Sequence, residues 1–168
     1  MKVEEAIKTA LEYETKVRDV YRDTKDKIRD PKGREIFRLL AEEEQGHVDY
    51  LQSKLYQWQR TGAVTAESLD TAIPSRDKIN EGVDRLHDRI ADVDQDNDLQ
   101  MLRKALDVEL ETKSFYKTVI HLLPPDDQKL FANFLSIEEG HVAIVQAEID
   151  HLTQNGYWFD FMEIDLND

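Results

Sequence analysis

A chain of 168 residues is long enough to bury a core of its own and is expected to form one domain. It has no cysteine, which excludes disulfides, thiolate zinc sites and an attached four-thiolate iron module. The formal charge of −14 disfavours nucleic acid and anionic membrane surfaces as partners and attracts metal cations.

No apolar run approaches the roughly 20 residues needed to span a bilayer, and the first residues, Met1-Lys2-Val3-Glu4-Glu5, carry no signal-peptide core. A soluble cytoplasmic protein is therefore expected. Most of the 36 acidic residues read as a solvated helical surface, so the charge by itself does not specify a metal protein.

Glycine and proline are scarce and mark the element ends. A first helix is predicted over about Val3–Arg29, ending before Asp30-Pro31-Lys32-Gly33. Asp30 is placed to cap a second helix, with Pro31 at its first position, that runs to about Arg60 ahead of Gly62. Within the long connection that follows, Ser75–Asp92 reads as an extra helix with Ile79, Val83, Leu86 and Ile90 on one stripe. The acidic stretch Asp92–Asp98 reads as a solvated turn. A third helix is predicted from near Asp98 to Leu123-Pro124-Pro125. A fourth begins there, with Asp126 and Asp127 in its first turn, and stops at Asn155-Gly156.

The expected fold is all-α. Two tight helix pairs are joined by a long crossover containing an extra helix, which is the connectivity of ferritin-like four-helix bundles. The bundle is expected over residues 1–156, with the crossover at about 61–97. The tail, 157–168, opens Tyr157-Trp158-Phe159-Asp160-Phe161-Met162 and is too apolar to dangle in water. It is expected to pack on the bundle or on a second subunit.

The two halves repeat. Ala10-Leu11-Glu12-Tyr13-Glu14 aligns with Ala105-Leu106-Asp107-Val108-Glu109, and Glu44-Gln45-Gly46-His47-Val48 with Glu138-Glu139-Gly140-His141-Val142. The shift is 95 residues at Glu14 and 94 at His47.

Stepping three and four residues along each helix gives four apolar seams, each interrupted by a glutamate. The first is Ile7, Ala10, Glu14, Val17, Tyr21, and the second Phe37, Leu40, Glu44, His47, Leu51, Trp58. The third is Leu102, Ala105, Glu109, Thr112, Tyr116, Val119, and the fourth Phe131, Phe134, Glu138, His141, Val145, Leu152. At about 1.5 Å per residue, the four carboxylates fall at one depth on either side of the turns.

Four bare carboxylates at mid-bundle would each suffer a desolvation penalty of several kcal/mol. Two divalent cations would neutralise them. Glu14, Glu44, His47, Glu109, Glu138 and His141 are thus the predicted metal ligands, with Glu44 and Glu138 as bridges and one histidine on each metal. Tyr21 and Tyr116 are either ordinary seam aromatics or hydroxyl donors to ligand carboxylates. His87, His121 and His151 lack such partners and are expected to be surface or incidental, and Glu12, Glu43, Glu111 and Glu139 are expected to be solvated. Glu148, a seam position beyond His141, is expected to mark a hydrated end of the bundle.

At these residues the chain resembles the rubrerythrin-related branch of the ferritin-like superfamily. The run Phe37-Arg38-Leu39-Leu40-Ala41-Glu42-Glu43-Glu44-Gln45-Gly46-His47, preceded by Glu14 and Tyr21, is typical of that family's first half. Glu109 to Tyr116 and Phe131 to His141 resemble its second. The resemblance implies two iron ions per chain, peroxide reduction or iron oxidation, and a homodimer.

Two features depart from the family's peroxidases. Thr112 stands where they carry a further glutamate, and the absence of cysteine excludes a fused rubredoxin module, so electrons must come from a separate donor such as a rubredoxin-type protein.

The expected function is a non-haem di-iron oxidoreductase that reduces hydrogen peroxide or dioxygen. The alternatives are a ferroxidase of bacterioferritin type and a structural bundle held by metal without redox turnover. Manganese and zinc also suit the ligand set. No glycine-rich loop supports nucleotide binding.

Overall fold

The computed structural model describes residues 1–86 and 96–161, and helix is the only regular secondary structure among the described residues. Helices α1 (Val3–Thr24) and α2 (Pro31–Thr61) form one pair. Helices α4 (Asp96–Leu122) and α5 (Pro125–Asn155) form the other, α1 also packs on α4, and the crossover helix α3 (Arg76–Leu86) lies against α5. Among the described residues no helix is long and apolar enough to cross a membrane.

The ends of α2 and α5 follow the sequence chemistry. Asp30 accepts the Lys32 N–H at 2.8 Å, Pro31 opens α2, and Gly62 closes it at φ 72° with its N–H on the Trp58 carbonyl. Gly156 closes α5 in the same left-handed conformation, φ 78°. The first helix is shorter than expected. It stops at Thr24 and continues as a 3-10 turn over Lys25–Lys27, because a side chain from α4 captures the amides that follow. That side chain is Asp98, which accepts the Arg29 N–H at 2.8 Å and the Asp30 N–H at 3.3 Å.

Asp98 therefore corrects the end of the solvated turn expected over Asp92–Asp98, whose residues 92–95 lie outside the described residues. The helix already begins at Asp96, and Asp98 is buried among four donors, the other two being the Asn97 amide and the Trp158 indole N–H at 3.1 Å. The predicted extra helix is seen as α3, and the part of Ser75–Asp92 that falls in 87–95, with Ile90 and His87, lies outside the described residues.

The tail packs on its own bundle. Trp158, Phe159 and Phe161 are buried, and the Trp158 ring meets the Phe37 ring edge-on at 6.0 Å. Met162 lies outside the described residues.

The core divides into two apolar clusters. One holds Val17, Tyr21, Phe37, Leu40, Leu102, Ala105, Val145 and Leu152 together with the tail aromatics. The other holds Ile7, Ala10, Leu51, Tyr116, Val119, Phe131 and Phe134. On each of the four long helices, the predicted glutamate falls in sequence between residues of one cluster and residues of the other. The antiparallel pairing therefore stacks all four at a single polar layer across the middle of the bundle.

Candidate metal centre

The polar layer is built from the seams. Glu14, Glu44, His47, Glu109, Glu138 and His141 are each 0–1% exposed. Donor atoms of Glu14, Glu44, His47 and Glu138 lie within 4.8 Å of one another, and so do those of Glu44, Glu109, Glu138 and His141. The two groups share Glu44 and Glu138, the residues that the sequence marks as bridges.

The histidine three residues beyond Glu44 or Glu138 projects from the same face of its helix, about one turn along. The two imidazoles stack with centroids 5.6 Å apart and planes 14° from parallel, and the Phe134 ring meets His47 edge-on at 5.5 Å. His47 Nδ1 faces Glu44 Oε2 at 3.2 Å and Glu14 Oε2 at 3.5 Å, and His141 Nδ1 faces Glu44 Oε1 at 2.8 Å and Glu109 Oε1 at 3.4 Å. Glu44 thus lies between both histidines.

The tyrosines cross the helix pair. Tyr21 on α1 donates to Glu109 Oε1 on α4 at 2.7 Å, and Tyr116 on α4 donates to Glu14 Oε1 on α1 at 2.6 Å. Burial, reinforced by the adjacent carboxylate, pushes both phenols well above their usual range, so they keep their protons and act as donors.

Many donor atoms of the layer nevertheless lack a hydrogen-bond partner. These are Glu14 Oε2, Glu44 Oε2, Glu109 Oε2, both oxygens of Glu138 and both nitrogens of His47. Buried polar atoms are normally paired, so this many orphans in one layer form a donor set that could hold a metal ion. The donor set, carboxylate with imidazole, suits divalent iron, manganese or zinc.

Burial and the mutual charges of the layer move its ionisable groups in opposite directions. Burial and the neighbouring Glu14 charge raise Glu44 to about 8, and burial with the charges of Glu14, Glu109 and Glu44 raises Glu138 well above the carboxylate range. For His47 burial works downward, but the charges of Glu44 and Glu14 outweigh it and bring the imidazole to about 10. His141 is likewise pushed well up, with Glu109 overcoming burial. Glu14 goes the other way: despite burial, its contacts with Glu44, His47 and Tyr116 hold it down at about 2. Glu109 is lowered too, as His141, Glu138 and Tyr21 outweigh burial.

Glu43 is a correction. It was expected to be solvated, but its side chain is only 7% exposed and Oε1 stands 2.8 Å from His141 Nε2. The segment after α2 covers it: the Thr71 hydroxyl donates to Oε1 and the Ala72 N–H to Oε2 at 3.1 Å. The sequence could not show this, because Glu43 lies about 100° round the helix from Glu44 and its partners come from a segment without periodicity. Glu12 and Glu111 are exposed as expected, and Glu139 is half-buried.

Glu148 is also a correction, and of the two alternatives for His151 the surface one does not hold. Glu148 is buried under the tail, where Oε2 accepts the Phe159 N–H at 2.8 Å. His151 is buried against the Tyr157 and Phe159 rings, while His121 is exposed as expected. Thr112 is buried, and its hydroxyl bonds back to the Val108 carbonyl at 2.8 Å.

No protein-family profile matches the chain, and no curated protein or solved structure is significantly similar to it.

Proposed function

We propose that the chain is a non-haem di-iron carboxylate protein with the ferritin-like four-helix architecture, related in design to the rubrerythrins. It reduces hydrogen peroxide or dioxygen with electrons from a separate donor, such as a rubredoxin-type protein. The observation that carries this reading is the pair of overlapping four-residue groups sharing Glu44 and Glu138, buried and rich in orphaned donor atoms. Glu14 and His47 would serve one iron, Glu109 and His141 the other, and Glu44 and Glu138 both. Bound iron would supply the electrons that cleave an O–O bond.

The chain's own residues set the terms of that chemistry. Tyr116 occupies Glu14 Oε1 and Tyr21 occupies Glu109 Oε1, which leaves one orphaned oxygen on each terminal carboxylate for a ligand bond. Glu138 has both oxygens orphaned and Glu44 has Oε2 orphaned, its Oε1 lying 2.8 Å from His141 Nδ1, so both keep an oxygen free for a shared role. The phenol donors also prevent each terminal carboxylate from swinging out of the layer. The six ligand side chains are only 0–1% exposed, which fits peroxide or dioxygen better than a larger substrate.

One observation favours a second reading. The position one turn after Glu109 is Thr112, turned back on its own helix, so it adds no further carboxylate to the layer. A ferroxidase of bacterioferritin type needs only the six ligands and would pass oxidised iron onward.

Loading the protein anaerobically with two Fe(II) per chain and comparing oxidation by peroxide and by dioxygen separates the two. Faster reaction with peroxide supports the reductase. Faster reaction with dioxygen, with Fe(II) consumed beyond two per chain, supports the ferroxidase. Glu44→Ala and Glu138→Ala should each abolish two-iron loading, and normal loading in both variants would sink the two-metal centre itself.

A further inference from the structure

The two imidazoles are not held alike. His141 has partners on both nitrogens, Glu44 at Nδ1 and Glu43 at Nε2, each at 2.8 Å. His47 meets carboxylates on one side only, with Glu44 Oε2 at 3.2 Å and Glu14 Oε2 at 3.5 Å from Nδ1, and its Nε2 has no hydrogen-bond partner, although one of its nitrogens comes within 4.8 Å of the Glu43 and His141 donors.

Glu43 is in turn fixed from outside the bundle. Thr71 and Ala72 of the crossover hold its two oxygens, so it cannot leave His141 without displacing that segment. Nor does the internal repeat supply a second such residue. Glu44 corresponds to Glu138, so the counterpart of Glu43 is Ile137. The asymmetry is therefore built into the covalent sequence as well as the fold.

The geometry points to Glu43 as a positioning residue that makes the His141 side the tighter of two unequal cation positions, an inference that rests on the two-metal reading above. A carboxylate on the far nitrogen of a ligating imidazole fixes the ring and strengthens its other nitrogen as a donor; losing such a partner typically costs about 10–100-fold in metal affinity. The first divalent cation then fills the group Glu44, Glu109, Glu138 and His141. The second fills Glu14, Glu44, Glu138 and His47 and is the more easily lost.

The test is an anaerobic titration with Co(II), followed by calorimetry and by its visible spectrum, on the wild-type chain and on Glu43→Gln and Glu43→Ala. Wild type should show two resolved binding steps. The first step should weaken by about 10-fold in Glu43→Gln and by up to about 100-fold in Glu43→Ala, with the second step little changed. In the metal-free protein, the ¹⁵N resonance of one imidazole should move in Glu43→Gln while the other stays, a signature that a general loss of packing would not give. Thr71→Val keeps the carboxylate but removes its clamp, and should give a smaller loss confined to the same first step; it serves as the test if the Glu43 variants do not fold.

Two equal steps in wild type, unaltered by Glu43→Gln, would overturn the inference and leave the two-metal centre standing. A third equivalent of Co(II) that vanishes with Glu43→Gln would make Glu43 a ligand and overturn its positioning role. No uptake at all would remove the two-metal reading and this one with it.

Discussion

Four side chains in the polar layer, Glu44, Glu138, His47 and His141, are shifted toward their protonated forms relative to water. Burial together with the neighbouring carboxylates raises Glu44 to about 8 and Glu138 well above its usual range. The carboxylate charges, working against burial, raise His47 to about 10 and His141 well above its usual range. With Glu14 and Glu109 ionised, those six side chains sum to zero charge, leaving Glu43 as an additional carboxylate against His141. Two divalent cations with four ionised glutamates and two neutral imidazoles are neutral as well, so the cations take the place of the protons. Binding of two Co(II) or Zn(II) ions at pH 7 should accordingly release about four protons per chain. Calorimetry in buffers of different ionisation enthalpy measures that number, and release of one proton or none would mean that the layer does not bind cations in this way.

At the scale of elements, the tail and the α1–α2 turn form one unit. Trp158 lies on Gly33, where an added Cβ would come within 2.4 Å of the indole and 2.7 Å of Ile28. Gly33→Ala should therefore destabilise the fold, by about 1–3 kcal/mol. Gly46 is the contrasting case, a helix-interior glycine with nothing within 4 Å of its Cβ position. Gly46→Ala should stabilise by about 0.5–1 kcal/mol, since only backbone entropy changes. Urea melts of the two variants check both signs.

Trp158→Ala empties the space beside Gly33 and Phe37 and removes one donor from Asp98, so a loss of about 3–5 kcal/mol is expected in the same melts. A Trp158→Ala chain as stable as wild type would show that the tail does not belong to the core.

The seams, the caps at Asp30, Gly62 and Gly156 and the six convergent residues were legible in the sequence, because they depend on helical periodicity and local chemistry. Glu43, Asp98 and Glu148 were not legible. Each is buried by a partner from a segment without periodicity, Thr71–Ala72 in the crossover, Arg29–Asp30 in the turn and Phe159 in the tail.

Over the whole molecule, the same protons set how stability depends on pH. A group whose pKa is raised by folding contributes stability that is complete below its unfolded pKa and is lost as pH rises through the folded one. Glu44 rises from 4.5 to about 8 and His47 from 6.5 to about 10, so the metal-free fold loses stability through that whole interval. Glu148 adds to the trend from outside the layer, since burial under the tail raises it well above its usual range. Glu14, held at about 2, acts in the opposite sense, but its contribution is already complete above pH 4.5 and cannot offset the loss.

The metal-free protein should therefore be most stable near pH 5, and its melting temperature should fall steadily toward pH 9. Cations reverse the slope, because deprotonation that costs the empty layer its neutrality creates the ligands that bind metal. The gain in melting temperature on adding Co(II) should then grow with pH over the same range. Melting curves of chelated and Co(II)-loaded protein from pH 5 to 9 measure both slopes. A chelated protein whose melting temperature is flat or rising over that range would show that its buried glutamates and histidines are not held by protons, and that the layer reaches neutrality by other means.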